Sequence, residues 1–207
     1  MDAGGGIVTG ATDEAARLTE TEELAALRQE VQRLTRENRG LKIAVGELER
    51  IVDRDTLTPL FNRRYFINAL IKRKALLERS DDPCALLFVD VDGLKLINDA
   101  HGHGAGDFAL IEVAERLKAN IRANDIAARM GGDEFALLLD HVDEETARQR
   151  GDQLASVIGG EPADYHGKPI ALSISVGCIM ITADEHEDDL VARADQEMYR
   201  VKQQKAR

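Results

Sequence analysis

Gly131-Gly132-Asp133-Glu134-Phe135 lies between two apolar runs, Ile126–Met130 and Ala136–Leu139. The adjacent glycines supply positive φ for a tight turn, so the runs are predicted to be the two strands of a hairpin. Two acids ride on its tip, and the preceding residues have no side chain in the way. Backbone and carboxylate can therefore come close to a metal-bound phosphate. The same short pattern also occurs as a surface hairpin with solvated acids, so its meaning depends on its neighbours in the chain.

Outward from the hairpin, the chain alternates element types. Upstream, Leu110, Val113, Ala114, Leu117 and Ile121 have helical spacing, and Cys84–Val91 is an almost wholly apolar run, as expected of a central strand. Before it, Phe66, Ile67, Leu70, Ile71 and Leu77 predict another helix. Downstream comes a helix ending near Ile158-Gly159-Gly160, then a period-two strand through Ile170, Leu172, Ile174, Val176, Cys178 and Met180. A final helix carries Leu190, Val191, Ala194, Met198 and Val201. This order predicts an α/β (α+β) fold, one mixed sheet flanked by helices.

Residues 1–22, rich in Gly, Thr, Ala and acids without periodicity, are predicted to be a flexible tail. Residues 23–53 carry a heptad seam with Leu24, Val31, Asn38, Val45 and Val52 at a, and Leu27, Leu34, Leu41 and Leu48 at d. Val at a with Leu at d favours a parallel two-stranded coil, and one Asn at a fixes register. Across such a homodimer Glu23 would face Arg28 and Glu37 would face Lys42. The alternative is an amphipathic helix packed on its own domain. Residues 54–207 then form the globular domain.

The 207 residues carry a formal net charge of −11. That balance argues against nucleic-acid binding, and any polyphosphate ligand needs cations supplied locally. No apolar stretch is long enough to span a bilayer, and the first ten residues lack the basic leader and apolar core of a secretion signal, so the expected location is cytoplasmic. Cys84 and Cys178 each sit in an apolar run, as buried free thiols do.

Three further clusters accompany the hairpin. The Leu86–Val91 strand ends in Asp90-Val91-Asp92-Gly93-Leu94-Lys95, followed by Ile97-Asn98-Asp99. A strand ending in acids, then a glycine and a lysine, can offer a carboxylate and a carbonyl to Mg²⁺, and amides and an ammonium to phosphates. Next come Gly102-His103-Gly104-Ala105-Gly106-Asp107, with Asp107 expected at a helix start. Far upstream stands Asp55-Thr56-Leu57-Thr58-Pro59-Leu60-Phe61-Asn62-Arg63-Arg64.

Taken in order, these blocks, with Ser175-Val176-Gly177 and Ala194-Asp195-Gln196-Glu197-Met198-Tyr199-Arg200-Val201-Lys202, resemble the GGDEF domain family of diguanylate cyclases over about Asp55 to Lys202. The resemblance implies condensation of two GTP into cyclic di-GMP on a nucleotidyl-cyclase/polymerase-palm-like fold. It implies two Mg²⁺ per active site, Mn²⁺ being able to substitute, held by Asp90, the Val91 backbone and Asp133. Glu134 would lie near the attacking ribose hydroxyl, as base or as metal ligand. Asn98 and Asp107 would read guanine, Lys95 and Lys202 would hold phosphates, and Leu60, Gly93 and Leu94 would border the nucleotide.

Plainer roles stand beside these. Asp107 could cap its helix; Asp92 and Asp99 could be solvated turn residues; His103 could orient its loop through a hydrogen bond; Lys202 could be a surface charge. Arg122-Ala123-Asn124-Asp125 matches the family's R-x-x-D product-binding inhibitory site, and the alternative is a chance pair on a charged loop. The chain departs from the family pattern at Pro59, usually Gly, and at Lys205-Ala206-Arg207, where a phosphate-contacting Arg usually falls on the position of Ala206. Three rival readings are a silent cyclic di-GMP receptor, a maker of a mixed GMP–AMP ring, and a coiled-coil scaffold.

Overall fold

In the computed structural model, residues 27–42, 52–77, 79–80 and 82–205 are described. The chain divides into a unit ending at Val52 and a second unit, Asp53–Arg207. In the first unit residues 27–42 form one helix, exposed along its whole length. The predicted tail and the seam positions Leu24, Val45 and Leu48 lie outside the described residues. Glu37, expected to face Lys42 of another chain, lies 3.2 Å from Arg33 on its own helix.

The second unit is built on a five-stranded sheet. Its strands are β1 (Phe61–Asn62), β2 (Ala85–Val91), β3 (Ile126–Gly131), β4 (Glu134–Leu139) and, after a small hairpin of β5 (Ala163–Tyr165) and β6 (Lys168–Ile170), β7 (Ile174–Met180). Spatial order is β1-β3-β4-β2-β7, with β1 parallel to β3 and the other pairs antiparallel. Helices α1 (Arg63–Leu77), α2 (Leu94–His101), α3 (His103–Ala119), α4 (Glu144–Gly160) and α5 (Glu187–Lys205) complete it.

Strand alternation divides the core in two. Leu87, Val89, Val91, Phe135 and Leu137 bury against Leu110, Val113, Leu117, Leu154 and Ile158 of α3 and α4. Leu86, Phe88, Ala136 and Leu138 bury against Phe66 and Leu70 of α1 and Leu190, Ala194 and Met198 of α5. All seven residues of β2 are buried, as a strand covered on both faces requires. Cys84 is buried and Cys178 half-buried, both free, and burial pushes both thiols up to about 11.

Four sequence expectations change in detail. Ile71 is 43% exposed, on the outer face of α1. Ile121 lies beyond the end of α3, which stops at Ala119. The stretch through Ile170 to Met180 is not one strand but two, β6 and β7, because residues 171–173 leave the ladder and Ser173 turns to Asp92. Finally, α3 begins at His103 with Gly102 as its N-cap, so Asp107 lies one turn inside the helix and caps nothing. Among elements the sequence reading lacked, α2 buries no residue fully and lies between Gly93 and Gly102, at φ 71° and 86°; such a segment reads as loop.

Candidate functional site

The hairpin forms as its glycines require. Gly131 pairs with Glu134, so the loop itself is Gly132-Asp133, with φ of 146° at Gly131 and 54° at Gly132 and a register shift between Arg129 and Gly131. Two contacts fix the loop against the rest of the sheet. The Val91 amide donates to the Asp133 carbonyl at 3.1 Å. The Arg129 guanidinium donates to the Gly132 carbonyl at 3.0 and 2.6 Å and reaches Asp55 at 3.4 Å.

Strand register then does the decisive work. Antiparallel pairing sets Asp90 opposite Glu134 on one side and Ser175 on the other. By alternation Asp90 and Glu134 point to the α1/α5 face, where α5 brings Lys202 onto the Asp90 carboxylate. Asp133 instead borders a cleft of about 460 Å³ together with Leu94, Lys95, Asn98, His103 and Arg129.

The electrostatics record this crowding. The Asp90 carboxyl is held above the ordinary range chiefly by burial, which outweighs Lys202; Asp133 and Asp92 push it further up. The Lys202 ammonium is itself raised by Asp90, although burial opposes this. The partners differ because the carboxylate is 11% exposed and the ammonium side chain 40%, so desolvation falls mainly on the acid. Glu134 is likewise raised, by burial first and then by Asp195, Asp133 and Asp90, against the pull of Arg63.

Asp92 is no solvated turn residue. It accepts from Ser173 at 2.6 Å, Ser175 at 2.7 Å and Lys205 at 3.3 Å; although burial raises it, these partners hold it below the ordinary range. Lys205 also donates to the Ile174 carbonyl. Asp99 and His103 are exposed.

Asn98 borders the same cleft as Asp133, with an unsatisfied carboxamide. Among the described residues its Oδ1 is the buried side-chain polar atom with no hydrogen-bond partner. A Cβ on Gly106 would fall 2.0 Å from that oxygen, so only glycine leaves room for the carboxamide. Asp107 is exposed on α3, next to Gly106. Leu60 is 2% exposed and borders a second depression of about 260 Å³ rather than the acid-bearing cleft.

That second depression holds the R-x-x-D pair with Arg54 and Lys118. Arg122 is exposed there. The Asp125 carboxylate, 2% exposed, turns into its own loop, accepting from the Arg122 amide at 2.9 Å, the Asp140 amide at 3.2 Å and Arg150 at 3.4 Å. Arg150, distant in sequence, was not legible as a partner; nor were Asp195 and Arg63 beside Glu134. Arg129 had a signal, as a cation in a strand leading directly into Gly131.

Carboxylates and a main-chain carbonyl are hard oxygen donors of the kind Mg²⁺ takes. Among the described residues no three His, Cys, Asp or Glu side chains converge as a metal-holding group. The candidate set therefore comprises two carboxylates, Asp90 and Asp133, with the Val91 backbone between them. It fits a cation in chemistry: the Asp90 carboxylate already holds the Lys202 ammonium, and after burial it is the neighbouring Asp133 and Asp92 that hold its carboxyl up, a crowding that a divalent charge would relieve.

Fold and site define an α/β sandwich of the nucleotidyl-cyclase and polymerase-palm type, with acids at the end of its central strand and at the neighbouring turn. The chain belongs to the GGDEF family: the profile described as "Diguanylate cyclase, GGDEF domain" matches residues 52–207. It is 38% identical over 166 residues to the bifunctional diguanylate cyclase/cyclic di-GMP phosphodiesterase MucR of Pseudomonas aeruginosa, covering 80% of this chain but only 24% of that relative's length. The crystal structure of a sensory box/GGDEF family protein from Caulobacter crescentus matches with TM-score 0.69 and 32% identity, over 73% of this chain and 99% of that one. The coiled coil and GGDEF domain of DgcB from Caulobacter crescentus, in complex with c-di-GMP, matches with TM-score 0.74 over 86% of this chain and 94% of that one; at 24% identity it attests the fold. No helix among the described residues is long and apolar enough to cross a membrane.

Proposed function

We propose that this chain is a diguanylate cyclase that joins two GTP molecules into cyclic di-GMP and releases two pyrophosphates, acting in the cytoplasm. The observation that carries the reading is the register of β2 on β4, which sets Asp90 opposite Glu134 while the Val91–Asp133 hydrogen bond brings the turn acid to the same strand end. Each ring closure needs a 3′-hydroxyl to attack the α-phosphorus of the facing nucleotide, forming one P–O bond and breaking the bond to pyrophosphate. Glu134, its proton affinity raised, is suited to receive the hydroxyl proton. Asn98 and Asp107 would read the guanine edge, an amide offering both donor and acceptor and a carboxylate accepting from adjacent N–H groups. Lys95 and Lys202 would face the phosphates beside the Gly93–Leu94 turn. Mg²⁺ held by Asp90, Asp133 and the Val91 carbonyl would supply neutralisation of the triphosphate and activation of the attacking oxygen. Incubation of the purified chain with GTP and Mg²⁺, with mass identification of the product, tests the reading; GTP left unconverted, or a product other than cyclic di-GMP, would overturn it.

Since the ring is built from two nucleotides, two protomers must face each other. Leu27, Val31, Leu34 and Leu41 are 64%, 61%, 49% and 61% exposed along one seam, with Asn38 between them, which supports a parallel homodimeric coil. Tethering turns a bimolecular encounter into a local one. Replacing Leu27, Leu34 and Leu41 by Ser is expected to lower turnover about tenfold at low protein concentration and make it rise with concentration. Unchanged, concentration-independent turnover would remove the coil from the mechanism.

Product inhibition belongs to the same reading. Arg54, Lys118 and Arg122 surround the second depression with positive charge suited to phosphates and to the guanine Hoogsteen edge. Asp125 and Arg150 would shape its floor. Arg122→Ala is expected to leave initial rates within about twofold while added cyclic di-GMP loses at least about tenfold in inhibitory potency. Equal inhibition of variant and parent would count against the site.

A further inference from the structure

The hairpin of β5 and β6 stands apart from the main sheet. It turns at His166-Gly167, both at positive φ. A two-stranded hairpin is marginal by itself, and this one is anchored on α3 by Tyr165, whose ring lies 5.2 Å from that of Phe108 at 42°. His166 packs edge-on against Tyr165, ring centroids 4.5 Å apart.

The Tyr165 hydroxyl reaches the first turn of α3, 3.0 Å from where a Cβ on Gly104 would sit. Two residues on, the Asn98 carboxamide occupies the space left by Gly106. The first turn of α3 is thus gripped by Tyr165 at Gly104 and by Asn98 at Gly106. Its junction with α2 is the single residue Gly102, at φ 86° and ψ 164°, which leaves the angle between the helices to be set by side-chain contacts.

We propose that Tyr165 is a positioning residue for base recognition: packed on Phe108 and Gly104, it fixes the start of α3 so that Asp107 and the Asn98 carboxamide, seated against Gly106, are held in register to read one guanine edge. This rests on the cyclase reading and extends it to a hairpin outside the signature blocks. Tyr165 acts through α3 and touches no substrate. Shifting it moves the two base-reading groups relative to each other while leaving Asp90 and Glu134 on the sheet, and Asp133 in the turn tied to Val91, in place.

The test is a double-mutant cycle in the full chain. Gly104→Ala places a methyl group against the Tyr165 hydroxyl and must push the ring or the helix by a few tenths of an ångström. It is expected to weaken binding of a non-hydrolysable GTP analogue about fivefold, to reduce the preference over the inosine analogue, which lacks the 2-amino group, and to leave kcat within about twofold. Tyr165→Phe keeps the ring stack and removes the obstructing oxygen, so alone it is near neutral, and combined with Gly104→Ala it restores parental affinity and preference. Parental binding by Gly104→Ala, or failure of Tyr165→Phe to rescue it, overturns the proposal. A drop in melting temperature with unchanged guanine preference does so too, because that marks a merely structural role. A parent protein that binds no guanine nucleotide defeats the cyclase reading and this inference with it; a parent that makes cyclic di-GMP alongside an unaffected Gly104→Ala defeats this inference alone.

Discussion

Glu134→Gln should cut cyclic di-GMP formation by about 10³-fold, near the middle of the range for removing a positioned acid–base group, while the protein melts slightly higher at pH 7. Glutamine keeps the shape and the strand position opposite Asp90, so the sheet has no reason to change. Under the proposed function the variant loses the proton acceptor beside the attacking hydroxyl, or equally an anionic ligand for the cation, and turnover falls in either role. The stability gain follows from the direction of the carboxyl's shift. Burial, then Asp195, Asp133 and Asp90, hold Glu134 above the ordinary glutamate value. A carboxyl raised in the folded state contributes stability that is complete below its unfolded pKa and is lost as pH rises through its folded value. At pH 7 the ionised group is therefore a net burden, and a neutral amide removes it. The difference in melting temperature should be on the order of 2 °C, since solvent screens a group this exposed, and it should vanish in acid below the carboxylate range. Turnover within about tenfold of the parent would show that Glu134 is not at the reacting hydroxyl. A lower melting temperature at pH 7 would show that the acids do not repel each other there.

The central strands and the acids at their ends were legible because the information is local. Cys84–Val91 has no polar residue until Asp90, and only a central strand covered on both faces accommodates that. The two glycines before Asp133 announce a turn whatever lies around them. Other features depend on partners remote in sequence, and no local pattern reports them. Lys202 meets Asp90 from the far end of the chain, and Ser173 leaves the ladder to bind Asp92, breaking a period-two run that otherwise reads as one strand. Asp125 and Arg122 were legible as a pair, but whether the carboxylate faces solvent or its own loop is decided by Arg150 and the Asp140 amide. Helix α2 escaped notice for a different reason. It is amphipathic, but it runs for only eight residues between two glycines at positive φ, too short for its period to stand out from a loop.

Gly177→Ala should destabilise the second unit by about 3 kcal/mol or more and lower its melting temperature by about 6–12 °C. A Cβ there would lie 2.2 Å from the Met198 nitrogen and 2.4 Å from the Ala194 carbonyl, so the obstruction is helix backbone, which cannot rotate out of the way. Strand β7 or helix α5 must move as a body. Gly151→Ala is the matched control: its Cβ would meet the tip of Val176 at 3.2 Å, a side chain that can yield, and a mid-helix alanine recovers about 1 kcal/mol of helix propensity, so little net change is expected. The Gly177 contact also has a functional reach. Helix α5 brings Lys202 to Asp90 and Lys205 to Asp92, and Asp195 on it raises Glu134. Displacing that helix by about 1 Å withdraws the counter-charge from the acids and, under the proposed function, the ammonium from the phosphates, so turnover should fall by about 10²-fold even at a temperature where the variant is fully folded. A Gly177→Ala protein that melts within about 2 °C of its parent would mean that α5 does not press on β7. One that loses stability but keeps full turnover would mean that α5 packs there without positioning the site.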